Sequence, residues 1–95
     1  MKSLYAIRDN VAGQIQGGVH LHSQDAPAVR FFRDLAADPQ TLIARHLADY
    51  DLLILGTIDE ESGEILPMAN GPQVILTGAA LKAAGEAADS LQRQG

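Results

Sequence analysis

Apolar and polar positions alternate with a strand period at the start of the chain. In Leu4-Tyr5-Ala6-Ile7-Arg8, Tyr5 and Ile7 share one face and Leu4 and Ala6 the other. With both faces apolar, this first strand is expected near the centre of a sheet. Asp9-Asn10 and Gly13 signal a turn. Ile15 to His22 follows as a second strand, interrupted by Gly17-Gly18, and a glycine pair inside a strand pattern predicts a bulge or bend. Beyond it Val19 and Leu21 point one way and His20 and His22 the other.

The period then changes. Ser23 or Asp25 is a candidate helix cap, and Pro27 is tolerated in a first turn because its missing N–H has no partner there. Ala28, Phe31, Phe32, Leu35 and Ala36 recur at helical spacing, which predicts a helix over 26–37 lying on a sheet. Arg30, Arg33 and Asp34 fall off that stripe, and Arg30 and Asp34 are spaced for an i,i+4 pair worth about 0.2–0.5 kcal/mol. Asp38-Pro39 reads as the cap and first position of a short second helix, with Leu42, Ile43 and Leu47 on its buried side.

Tyr50 to Ile58 is the clearest strand. Tyr50, Leu52, Ile54, Gly56 and Ile58 lie on one face, Leu53 and Leu55 on the other, and the run Leu52–Leu55 fits burial on both sides. Asp59 to Gly63 is a hairpin loop, with Glu64-Ile65-Leu66 the return. Gln73 to Thr77 is a further short strand after the loop 67–72. From Gly78 the chain is Ala-rich with weak helical spacing (Leu81, Ala84, Ala88, Leu91), interrupted by Gly85 at about 1 kcal/mol relative to Ala. The expected architecture is α+β: an antiparallel sheet of about four strands with one or two helices on one face. Residues 1–78 form the domain, and 79–95 form a C-terminal helix that needs the domain or a partner to pack on.

Composition narrows the chemistry. The 95 residues hold no cysteine, which excludes a disulfide framework, a thiol nucleophile and any Cys-based metal centre. No apolar run approaches the roughly 18 residues of a membrane span, and the N-terminus lacks a signal-peptide core, so a soluble intracellular protein is expected. The net charge is −5, but it is unevenly placed. Residues 1–48 carry five bases and four acids, whereas residues 49–95 carry two bases and eight acids. An anionic partner is expected to meet the first half.

Candidate sites are few. His20-x-His22 places two imidazoles on one strand face, with His46 a conceivable third ligand, but a closed site lacks a fourth; the plainer reading is a solvent-facing pair, and no metal or cofactor is expected. Asp59-x-Glu61-x-Gly63 lacks the ligand spacing of a calcium loop and reads as a charged hairpin tip. No nucleophile elbow and no phosphate loop occurs, so an enzyme is not expected. The best cationic group is Arg30, Arg33, Arg45 and His46 on the two helices, suited to sequence-independent phosphate contacts or simply a solvated helix face. Tyr5 and Tyr50 could stack bases if exposed, although their apolar strands favour burial.

Several ordered positions resemble one family. Leu4-Tyr5-Ala6-Ile7-Arg8-Asp9 with Ala12-Gly13 is similar to the opening of the small nonstructural protein of gokushovirus-type microviruses, tailless phages with circular single-stranded DNA. The middle matches as well: Ala28-Val29-Arg30, Phe32, Asp34-Leu35, Asp38-Pro39, Leu42-Ile43, His46, Asp49-Tyr50, Leu52, Gly56, Asp59 and Gly63-Glu64-Ile65. The resemblance spans residues 4–66 and leaves the tail uncovered. Gln14 to Gly18 departs from the aromatic or proline-containing residues of the family, and Leu47 stands where proline is expected. The resemblance implies a non-enzymatic accessory protein of phage DNA replication. Its role would fall in the passage from duplex replication to single-stranded genome synthesis and packaging. Arg8 and Arg30 fall on matching arginine positions.

Three functional alternatives are ranked, the first two closely and the third well behind. The first is single-stranded DNA binding by Arg30, Arg33 and Arg45, with Arg8, Tyr5 and Tyr50 as further contacts. The second is a protein-binding regulator of the phage replication initiator or procapsid that does not touch DNA. The third is a small metal module on His20 and His22. A homo-oligomer acting in the host cytoplasm, without membrane contact, is expected in the first two.

Overall fold

A computed structural model of the chain describes the backbone of residues 1–94 and the side chains of residues 1–89. Strands β1 (Lys2–Asp9) and β2 (Gln14–His22) form a hairpin, followed by helices α1 (Asp25–Ala37) and α2 (Leu42–Arg45) and a 3-10 turn at Leu47–Asp49. Strands β3 (Tyr50–Ile58), β4 (Ile65–Pro67) and β5 (Gln73–Thr77) and helix α3 (Gly78–Gln94) complete the order. The sheet is antiparallel, as expected, and has five strands where about four were expected. It runs β2-β1-β3-β4, and β5 pairs with β3 as well. Strand β4 takes the Gly56–Ile58 end of that edge and β5 the Asp51–Ile54 end. Gly56 lets the return strand approach, because a Cβ there would run into the Leu66 carbonyl.

Strand β1 is central, as its two apolar faces require. Tyr5 and Ile7 turn toward the helices and join Ala28, Phe32, Ile43, Tyr50 and Leu52 in the buried core. Leu4, Ala6 and Leu53 are buried on the opposite face, where no helix packs; Val19, Leu21 and Val74 around them stay largely exposed. The Gly17-Gly18 bulge is present. Gln16 pairs with Ile7 and Val19 with Ala6, so both glycines drop out of the ladder with positive φ. Because two residues are skipped, Gln16 and His20 both remain on the helix-bearing face.

Two local expectations are corrected. Neither Ser23 nor Asp25 caps α1. Its N-cap is Gln24, with no side-chain bond, and Asp25 lies inside the first turn, where its carboxylate accepts from the Tyr5 hydroxyl. Helix α2 does not start at Asp38-Pro39 either. Asp38 ends α1 and holds the following turn through Gln40 N–H, while Thr41 caps α2 by accepting from Ala44 N–H. A hydroxyl one residue before the helix outcompetes a carboxylate four residues away.

Helix α3 forms as expected and packs by its first turns against the 3-10 turn, with Leu81 meeting the core. Residues 82–89 are exposed. Leu91, the last position of the expected stripe, lies outside the residues whose side chains are described.

Candidate nucleic-acid interface

Helix α1 settles on the sheet through Ala28 and Phe32, 2% and 0% exposed. Successive helical residues project about 100° apart, so the neighbouring phenylalanines cannot both enter the core. Phe32 enters it, and Phe31 is left at the flank, 37% exposed. The same phase puts Arg30 and Arg33 on the outward side, one turn apart and both exposed. The expected Arg30–Asp34 pair is not made. Among the described residues the ion pair is Lys2–Glu60, 2.9 Å, far from α1 in sequence. Among the described residues the guanidinium groups of α1 therefore stand without a carboxylate within 4.0 Å.

The remaining arginines lie elsewhere. Arg45 is exposed at the end of α2; its Nε donates to the Pro39 carbonyl at 3.4 Å, and it lines a depression with His46, Asp49 and Lys82. Arg33 is about 200° around α1 from Phe31, which lines a cavity together with Leu42 and Ile43 of α2. Arg8 sits on the helix-free face, between its cross-strand neighbours Ile15 and Asp51. Asp51 accepts instead from the Asn10 amide at 2.9 Å. Arg30 and Arg33 thus form one exposed pair on α1, Arg45 lies beside Lys82, and Arg8 stands on the opposite face of the sheet.

The tyrosines are corrected as stacking residues. Tyr5 and Tyr50 are 1% and 3% exposed, so neither ring offers a face to a base. Burial, then the hydrogen bond to Asp25, pushes the Tyr5 phenol above its ordinary value. Burial, then the charges of Asp9 and Asp49, does the same to Tyr50. Both are structural groups of the core.

The accessible aromatic surface is a different one. Phe31 and His20 meet with ring centroids 4.7 Å apart and planes tilted by 52°. Adjacent Phe31-Phe32 in an amphipathic helix was the available signal, since only one of such a pair can face a sheet. His22 packs at 5.7 Å on Tyr5. Among the described residues no three His, Asp or Glu side chains gather into a metal-binding group.

Compared with known proteins, residues 2–81 match the family described as Phage ORF5 protein. No curated protein and no solved structure matches the chain. The family match runs past the 4–66 resemblance, through β5 and into the first turn of α3. The chain belongs to the Phage ORF5 protein family.

Proposed function

We propose that this phage protein is a non-enzymatic nonstructural protein of a gokushovirus-type microvirus that assists viral DNA replication by binding single-stranded DNA. The observation that carries the reading is the Arg30–Arg33 pair: two cations one helical turn apart, exposed and free of carboxylate partners among the described residues. Arg45 and Lys82 supply a second, separate phosphate contact. Such contacts give affinity without sequence preference and weaken with salt. The acidic half of the chain keeps the rest of the surface repulsive to DNA, which confines the polyanion to α1 and its neighbourhood. The protein works in the host cytoplasm; no described helix is long and apolar enough to cross a membrane.

A second reading is favoured by the helix-free sheet face. Val19, Leu21 and Val74 are 42–52% exposed there, an apolar surface suited to a protein partner such as the replication initiator or procapsid. The same face adjoins the free edge of β2, whose nine residues carry no Lys, Arg, Asp or Glu, so a second copy could pair there. Titration with single- and double-stranded DNA at two salt concentrations separates the readings. Micromolar-range, salt-sensitive binding to single strands supports the first. No binding at either salt, with capture of the initiator, supports the second.

A further inference from the structure

A cavity of about 300 Å³ opens between the β2 bulge, α1 and α2, and no charged residue lines it. Its walls are Phe31, Leu35 and Leu42, and its rim on the strand side is Gln16, Gly17 and His20. The volume is at the lower end of small-ligand sites. Thr41, the other polar lining residue, is committed to the fold. Its hydroxyl lies 2.7 Å from the Leu35 carbonyl and accepts from Ala44 N–H. Gln16 and His20 make no side-chain hydrogen bond among the described residues, so an amide with both donor and acceptor and an imidazole remain free at the rim.

We propose that this cavity receives one unpaired base of single-stranded DNA, an inference that rests on the DNA-binding reading above. The chemistry of the walls selects a flat, neutral, aromatic group. Phe31, 37% exposed as a residue, lines the cavity with its ring against His20, and stacking on an aromatic ring tolerates any base. The Gln16 amide can meet the donor and acceptor edge that a base shows only when unpaired. A phosphate would find no cation inside, but Arg30 precedes Phe31 on α1 and stands exposed on its crest, so backbone and base are met by consecutive residues. Gly17 lines the strand-side rim at positive φ, the conformation that glycine tolerates best, and adds no side-chain bulk there.

The test compares an oligothymidylate with an abasic strand of equal length and charge, at one low salt concentration. Wild-type protein is expected to bind the oligothymidylate about tenfold tighter. Phe31→Leu, which keeps apolar bulk and removes the ring, should abolish that difference and leave the abasic affinity unchanged. Should Phe31→Leu fail to fold, Gln16→Ala at the half-buried strand rim should reduce the same difference several-fold. Equal wild-type affinity for the two strands, with both weakened by Arg30→Ala plus Arg33→Ala, overturns the base pocket and keeps the DNA reading. No binding of either strand overturns both. A Phe31→Leu variant that loses self-association while keeping the strand difference shows that the cavity holds a side chain of a second copy, and also overturns the proposal.

Discussion

The hydroxyl of Tyr5, in the middle of β1, donates to Oδ1 of Asp25 in the first turn of α1 at 2.6 Å. This bond fixes where the helix begins over the sheet, and it explains why Asp25 is not available as a cap. Asp25 is exposed and regains water when the bond is lost, so Tyr5→Phe is expected to cost only about 1 kcal/mol, read by urea denaturation.

The same tyrosine, with Tyr50, sets an alkaline limit. Burial raises both phenols above the ordinary value of 10.0. The folded state therefore holds protons that the unfolded chain releases earlier. The associated stability is fully present below the ordinary tyrosine value and is lost as pH rises through the folded values. Far-UV circular dichroism should stay flat to about pH 10 and then fall together with the rise in tyrosinate absorbance. Tyrosinate appearing while the fold stays intact would contradict this.

The two phenylalanines should separate cleanly. Phe32 is fully buried, so Phe32→Ala is expected to cost about 3–5 kcal/mol, a large share of the stability of a domain this size. Phe31→Ala loses a flank contact and should cost under about 1.5 kcal/mol by the same denaturation measurement. Comparable losses would mean that Phe31 belongs to the core after all.

Much of the fold was legible because one periodicity dominated each segment. β3 and β5 begin and end where the alternation does, and the central position of β1 follows from its two apolar faces. The glycine bulge was readable from Gly17-Gly18, and His20 and His22 lie opposite Val19 and Leu21 as the alternation predicts, but half-buried against Phe31 and Tyr5 on the helix-bearing face rather than facing solvent. The caps were not readable, because Ser23, Asp25, Asp38 and Thr41 are all competent residue types: at α1 Asp25 is engaged by the Tyr5 hydroxyl, and at α2 Thr41 stands directly before the helix and accepts from Ala44 N–H. The site was read less well. Off-stripe position predicts exposure, which held for Arg30, Arg33 and Arg45. Whether exposed groups on two helices share a face is not set by spacing within either helix, because it depends on how the helices are oriented relative to each other. The exposure of Phe31 was not legible, because a stripe containing both Phe31 and Phe32 reads as wholly buried.

Helix α3 is seated by one glycine. A Cβ at Gly78 would run into the backbone carbonyls of Leu47 and Tyr50, whereas one at Gly85 meets nothing. Gly78→Ala should therefore destabilise by about 1–3 kcal/mol and loosen α3. Gly85→Ala should stabilise by up to about 1 kcal/mol. Thermal melts of the two variants moving in the same direction would contradict this assignment.

The uncharged edge of β2 and the apolar face beside it predict self-association. Light scattering should give a mass above the 10.1 kDa of one chain, and Val19→Lys with Leu21→Lys should return the protein to that mass. A monomeric wild-type protein would remove this expectation without touching the DNA reading.

The most direct test of the account is the salt dependence of single-stranded DNA binding, measured for the wild type and for Arg30→Ala with Arg33→Ala. Each phosphate contact contributes a slope of about −0.7 in log affinity against log salt for single strands, so the double variant should bind more weakly with a slope shallower by about 1.4. An unchanged slope and affinity in the double variant would show that α1 does not meet DNA and would contradict the account.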